Sequence, residues 1–264
     1  MTANCSAGRG LPVGRPIVRS FTGGAGPLLQ PDERRTIDDL VAAHGMRPAP
    51  PDPSGLTFSQ MAQGLLESLD RPLPPLGATI LAYQEPDITV AEVAGSRVAD
   101  LCPGDPVAFS VSGQGVGAPF TALRVLHAMY AAGELTGGAV FAFDQSASLY
   151  ADGNRAERDR VVLLVTGDVG SDGLMLDVLD EVPADDPASV LHGALDEMPV
   201  TVGAQLADHL GPAARRRSVE ITRERGCAAV WATAAASWRP GRRSLVADYD
   251  PGTRRLFRAL LQPG

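Results

Sequence analysis

The stretch that decides the fold is Pro106–Pro119, PVAFSVSGQGVGAP. Pro106–Val111 is a short apolar run of the strand-forming kind. Residues 112–118 (SGQGVGA) form a glycine-rich bend, and Pro119 then stands where proline is tolerated, in the first turn of a helix. That helix runs to Ala132 and is closed by Gly133. On the N-terminal side, Ala78–Tyr83 (ATILAY) predicts a short buried strand. Residues 89–101 predict a helix with Val90, Ala94, Val98 and Leu101 on one side, ended by a Pro103-Gly104-Asp105 turn. On the C-terminal side, Gly138–Asp144 (GAVFAFD) and Arg160–Thr166 (RVVLLVT) predict two further strands. This βαβαβ rhythm defines an α/β fold with a largely buried sheet.

Further out, residues 1–26 are Gly/Arg-rich and are expected to be a flexible N-terminal segment without a long regular element. A helix is expected from Pro31 to Gly45, led by Asp32-Glu33 and striped by Ile37, Leu40 and Val41. A proline-rich linker at 47–55 precedes a second helix carrying Met61, Leu65 and Leu69, and a Pro-rich break at 72–75 follows it. The second half reads more thinly. Val200–Val202 and Ala228–Thr233 (AAVWAT) predict strands, 212–225 a basic helix, and Ser244–Asp248 with Leu256–Leu261 a hairpin around Tyr249–Thr253. No internal sequence repeat is visible. The expected organisation is a single domain over 27–264, with a first half over 27–168 and a second over 169–264.

Composition narrows the chemistry. Of 264 residues, 44% are hydrophobic and 20% charged, a globular balance. All 23 basic residues are arginine, which excludes a lysine Schiff base, a P-loop and a lysine general base. A net charge of −8 argues against nucleic acid as the main ligand. No apolar run reaches the ~18 residues of a membrane span, and no secretory signal is visible. Cys5, Cys102 and Cys227 are far apart, so neither a zinc site nor a disulfide framework is expected, and a reducing cytoplasm is the default compartment. Charge is uneven: residues 144–210 carry 3 basic and 14 acidic groups, residues 211–264 carry 11 and 4. The favoured reading is two solvated faces that partly neutralise each other. The functional alternative is an arginine patch for an acidic partner, a phosphopantetheine arm or a CoA phosphate.

Several short motifs bear on function. Gly113-Gln114-Gly115-Val116-Gly117-Ala118 fits G-x-G-x-x-A between a strand and a helix, and the next strand ends in Asp144, as a dinucleotide site requires. About a hundred residues precede it, whereas this fingerprint normally opens a fold, so a tight turn in another α/β protein is the favoured reading. A serine-hydrolase elbow fails, because Ser110 and Gln114 flank Ser112 where glycines are needed. The stretch Asp168–Leu179 fails as a calcium loop, with glycine at its third position and leucine at its twelfth. His127 lies on the apolar stripe of its helix and reads as a packed histidine before a catalytic one. His44, His192 and His209 read as surface residues. Cys102 and Cys227 read as packing residues.

Read as one string, residues 78–146 resemble the first half of a thiolase-fold condensing enzyme of the ketosynthase III and chain-length-factor group. Tyr83–Asp87 (YQEPD), Leu101–Asp105 (LCPGD), Phe109–Ala118 (FSVSGQGVGA) and Ala139–Ser146 (AVFAFDQS) fall in that family's order, and Arg242–Leu261 resembles its closing hairpin. The resemblance implies a layered αβαβα fold with a contracted second half. In such enzymes a nucleophilic cysteine sits at the N-terminus of a buried helix. Here that slot falls on Gly115 or Val116. The slot for the family's histidine holds Thr233 or a neighbouring alanine, and the asparagine slot falls among Ala234–Ala236 or is missing.

Two functions follow from the resemblance. The first is a triad-less pseudo-ketosynthase or chain-length-factor-like protein of polyketide or fatty-acyl secondary metabolism. It would form a homodimer, or a heterodimer with a ketosynthase-like protein, by pairing Val107–Val111 across a two-fold axis. The second is an acyltransferase or hydrolase whose chemistry has moved to Ser112, His127 or Thr233. Its acyl-CoA or acyl-carrier thioester would lie along Gln114, Gly115, Val116 and Gly117, with backbone N–H groups near Gly115–Gly117 forming an oxyanion hole. No cofactor and no metal is expected in either case, and an acyl carrier protein is a candidate partner. A dinucleotide-binding oxidoreductase is the outsider, and it requires Asp144 to face Gly113–Gly117.

Overall fold

The structure is a computed structural model and describes residues 10–23, 30–49, 55–89, 92–151, 155–211 and 219–264. In chain order the first half contains β1 (Leu11–Val13), β2 (Ile17–Phe21), α1 (Pro31–Ala43), α2 (Phe58–Glu67), β3 (Ala78–Tyr83), α3 (Ala94–Leu101), β4 (Val107–Val111), α4 (Ala118–Ala131), β5 (Gly138–Asp144) and β6 (Asp159–Thr166). The second half contains β7 (Leu174–Pro183), α5 (Pro187–Glu197), β8 (Val200–Val202), α6 (Ala204–His209), β9 (Val219–Ile221), α7 (Ala229–Ser237), β10 (Ser244–Asp250) and β11 (Arg255–Gln262).

One continuous sheet runs β4-β3-β5-β6-β1-β7-β11-β10-β8-β9, with β2 also paired to β6. Its two halves repeat. In the first, β3 pairs in parallel with β4 and β5, and β5 pairs antiparallel with β6. In the second, β8 pairs in parallel with β9 and β10, and β10 pairs antiparallel with β11. The halves meet at the antiparallel pair β1–β7, so a pseudo-two-fold axis passes there. Phe120 and Trp231, each the third residue of its helix, pack beside one another with ring centroids 5.1 Å apart.

Alternation along the strands builds the layers. In β5, Val140 and Ala142 join the cluster that contains α4 and α7, whereas Ala139, Phe141 and Phe143 join the cluster under α2 and α3. In β10, Val246 faces α7, whereas Leu245, Ala247 and Tyr249 pack on α5 and α6. Both faces of β5 are therefore covered and its run is apolar throughout, as expected for strands buried on two sides. The order is α2/α3, half-sheet, α4/α7, half-sheet, α5/α6, the αβαβα layering that the resemblance implied.

Several local expectations are corrected. Ala228–Thr233 is not a strand but leads into helix α7: a short apolar run cannot separate the two by pattern, and its alanines favour helix. The basic helix expected over 212–225 is not formed at 219–221, which is strand β9; residues 212–218 lie outside the described residues. Within the N-terminal segment, residues 11–13 and 17–21 form strands, and fully buried Leu11 and Val13 place β1 at the centre of the sheet.

Candidate functional site at the helix N-termini

The three turns that lead into α4, α6 and α7 are each headed by glycine, and each glycine faces a carboxylate from the end of a strand. Gly115 opens the 3-10 turn Gly115–Gly117 before α4, with φ +52°, a conformation that favours glycine. The Asp250 carboxylate occupies the volume that a Cβ on Gly115 would need. Gly203 is the N-cap of α6, and Asp248 fills the corresponding volume there. Gly226 precedes α7 with φ +135°, and Asp144 fills its space. Gly117, the N-cap of α4, is blocked by the Phe257 ring from β11.

Two of these carboxylates, Asp248 and Asp144, accept backbone N–H groups at the helix starts from another strand. Helix N-termini leave backbone N–H groups without intrahelical partners, and a side-chain oxygen normally satisfies one of them. Gly203 has no such oxygen. Asp248 stands in its place, accepting the Leu206 N–H as well as the Tyr249 N–H at 2.8 Å. Asp144 accepts the Ala228 N–H at 3.0 Å and faces Arg160 at 3.7 Å; Arg160 also pairs with Glu224. Burial pushes the Asp248 carboxyl up to about 8, against its bonds from Tyr249 and Leu206 and with help from the charges of Asp250 and Asp144. Burial also raises Asp144 to about 6, although Ala228, Arg160 and Cys227 pull it down.

The turn before α4 offers no nucleophile. Gly115 and Gly117 have no side chain and no room for one, and Val116 is buried. The Gly117 N–H donates to Gln114 O at 2.9 Å and the neighbouring Ala118 N–H to Gly115 O, so one of the expected oxyanion donors, that of Gly117, is engaged within the turn. Ser112 is exposed beyond the end of β4, and Gln114 is half-buried. His127 is half-buried and lies roughly 13 Å along α4 from its first residue, by the 1.5 Å rise of a helix. Thr233 sits on α7, where its hydroxyl donates to Ala229 O at 3.2 Å. His127 is thus not brought to the turn, and Thr233 is a helix residue with its hydrogen already placed. Cys227 is fully buried, its thiol pushed well up by burial and by Asp144, and it donates to Phe143 O at 3.4 Å. It is a packed thiol.

The dinucleotide reading is overturned by the same geometry. Strand β3 separates β4 from β5, so Asp144 does not lie on the strand next to the glycine bend. Its carboxylate faces Gly226 and Ala228, and the acid facing Gly115 is Asp250. Three of the C-terminal arginines pair with acids of the second half-sheet. Arg258 pairs with Asp180, Arg255 with Glu181 at 3.1 Å and Arg254 with Asp185 at 3.2 Å, all between β11 and the acidic β7 or the loop after it. The two oppositely charged stretches neutralise each other there.

Asp144, Asp248 and Asp250 were not singled out by sequence except for Asp144 as a ribose ligand. The available signal was an aspartate at or near the end of an otherwise apolar strand. A cleft of about 370 Å³ opens elsewhere, on the outer face of the first half-sheet between α1, α2 and α3. Asp87 lies at its floor, raised to about 6 by burial, and accepts the Phe58 N–H at the start of α2 and the Gln145 amide.

By sequence, neither a protein-family model nor a curated protein matches the chain. By structure, it has the fold of the thiolase-fold condensing enzymes. A Xanthomonas campestris OleA variant with cerulenin matches with a TM-score of 0.61 at 12% identity, over 97% of this chain and 97% of that one. The 3-oxoacyl-(acyl carrier protein) synthase III, FabH, of Pseudomonas aeruginosa matches with a TM-score of 0.59 at 14% identity, over 97% and 99%. AbyA1, a tetronic acid condensing enzyme, matches with a TM-score of 0.57 at 14% identity, over 78% and 81%. No helix among the described residues is long and apolar enough to cross a membrane.

Proposed function

We propose that the chain is a non-catalytic thiolase-fold subunit, a pseudo-ketosynthase or chain-length-factor-like partner in polyketide or fatty-acyl metabolism. One observation carries this reading. The turn at the N-terminus of α4, where the resemblance puts a nucleophilic cysteine, holds Gly115, Val116 and Gly117 and is filled by Asp250 and Phe257. Without a thiolate or hydroxyl at that position, covalent acyl transfer has no carrier.

Pairing through β4 completes the reading. β4 ends the sheet and has no charge or proline within Val107–Val111, the devices that normally blunt an edge strand. Val107 is 64% exposed. Antiparallel pairing with the same strand of a second copy, or of a ketosynthase-like protein, would extend the sheet across a two-fold axis.

Intact-protein mass spectrometry after incubation with acetyl-, malonyl- and hexanoyl-CoA, with thiol release followed in parallel, tests the first part. No adduct and no release are expected. An adduct mapped to Ser112, or catalytic thiol release, would instead establish the acyl-thioester enzyme. Sedimentation tests the second: the chain alone or mixed with a ketosynthase-like protein is expected to dimerise, and Val107→Arg to reduce dimer formation at least tenfold. A Val107→Arg protein that dimerises as well as the parent refutes pairing through β4.

A further inference from the structure

The pseudo-two-fold axis lets one half of the molecule serve as the reference for the other, and one volume differs between them. In the first half, a row of residues crosses the sheet beneath α4: Phe109, Ile80, Val140 and Leu164 are successive cross-strand neighbours. All four pack in or against the central cluster. The matching row beneath α7 is Glu220, Thr201, Val246 and Ala259. Above the first row, Leu126, the ninth residue of α4, packs over Gly138. The ninth residue of α7 is Ser237, and the counterpart of Gly138 is Ser244.

The helices differ too. α4 has 14 residues and α7 has 9, so α7 ends roughly 7 Å earlier along its axis. A volume filled by hydrocarbon in the first half is left as a cavity of about 130 Å³ in the second, lined by Thr201, Ser237, Trp238 and Ser244. Loss of a large apolar side chain from a packed site leaves an unfavourable void unless something occupies it. Here polar groups line the void.

Charge indicates the occupant. Arg239 and Arg242 line this cavity, and among the described residues neither has a carboxylate within ion-pair distance. They differ in this from Arg254, Arg255 and Arg258. Arg239 uses one N–H on Trp238 O at 3.0 Å, which leaves most of its fork free. Glu220 also lines the cavity, so the three charged groups sum to a single positive charge and suit a monoanion better than a phosphate ester. Val246, Ala234 and the Trp238 ring supply the apolar wall. In volume the site is close to the roughly 150 Å³ engineered cavity that admits benzene.

We propose that this cavity at the C-terminal end of α7 binds a small organic monocarboxylate, its carboxylate held by Arg239 and Arg242 and its hydrocarbon against Trp238 and Val246. The site lies at the opposite end of α7 from Gly226 and does not depend on the function proposed above.

Calorimetric titration of the full chain with isobutyrate, and with isobutyramide as its neutral isostere, tests it. Saturable isobutyrate binding is expected below roughly 10 mM, with the amide at least tenfold weaker, since the arginine forks recognise carboxylate. Arg239→Gln/Arg242→Gln, altered only at exposed residues, is expected to bind at least tenfold more weakly. Ser237→Leu, which restores the side chain carried by α4, is expected to fill the cavity and abolish binding without lowering the melting temperature. Absence of saturable isobutyrate binding in the parent, equal binding of the amide, or unchanged binding in the double arginine variant would each overturn the assignment.

Discussion

Asp248→Asn should alter the pH dependence of stability in a defined window. The Asp248 carboxyl titrates at about 8 in the folded chain and near 3.8 when unfolded. Below pH 3.8 both states hold the proton. Between 3.8 and 8 the folded state keeps a proton that the unfolded state has lost, so this group's contribution to stability falls as pH rises and is gone above about 8. The slope is about 1.4 kcal/mol per pH unit, of order 6 kcal/mol across the window. Asp144 and Asp87 follow the same sign, but their windows close near pH 6. From pH 6.5 to 8, Asp248 is therefore the isolated contributor among these buried acids. Asparagine keeps an oxygen for the Tyr249 and Leu206 N–H groups and removes the titration. Urea unfolding followed by tryptophan fluorescence at pH 6.5, 7, 7.5 and 8 measures both proteins, and histidine contributions cancel in the difference. The parent should lose roughly 1–2 kcal/mol relative to the variant across this range. Parallel pH profiles would refute the account of Asp248 as a buried, protonated cap.

Other outcomes follow from the same contacts. Gly117 has an ordinary φ of −77°, so Gly117→Ala should cost about 1–3 kcal/mol through collision with Phe257 alone. A thermodynamic cycle with Phe257→Leu should recover most of that loss; strict additivity would show that the ring does not fill the site. Arg160→Met should destabilise by about 3–5 kcal/mol, because it strips a buried counter-charge from Asp144 and Glu224. Adding Asp144→Asn should return part of it, as chemical denaturation would show. Arg258→Gln, which removes one of the β7–β11 pairs, should cost no more than about 1 kcal/mol, because both partners are partly exposed.

The first half of the fold was legible because its elements obey their local patterns. ATILAY and GAVFAFD coincide with β3 and β5 residue for residue, and the glycine bend ends β4 and starts α4 as expected. The second half was obscured by chemistry that acts at a distance. β7 carries Asp177, Asp180 and Glu181 within an otherwise apolar run, and two of those acids are matched by arginines on β11, a partner more than seventy residues away. α7 has the pattern of a strand because it is apolar nearly all round, as a helix buried between two half-sheets must be. The pseudo-symmetry left no sequence repeat, since what the halves share is pairing register and not side chains. The absence of a nucleophile could be read from Gly115–Gly117. That strand-end aspartates fill the space beside these glycines could not, because each lies more than forty residues from the glycine it faces.

This arrangement explains how glycines can stand at buried helix starts without leaving voids. A glycine at a helix N-terminus removes both a cap and a side-chain volume, and each loss destabilises a buried site. Asp248 and Asp144 answer both at once: the carboxyl occupies the volume and accepts backbone N–H bonds of the turn. Asp250 shares its task, with one oxygen taking the Gly252 and Thr253 N–H groups of the hairpin turn and the other lying against Gly115. Burial keeps the Asp248 carboxyl protonated at neutral pH, so no full charge is stranded in the core there, and Arg160 offsets the charge of Asp144. A side chain placed at Gly115, Gly203 or Gly226 alone would therefore collide with the aspartate that faces it. Only paired substitutions that shorten the facing aspartate can open these positions, so a single substitution there should destabilise the protein.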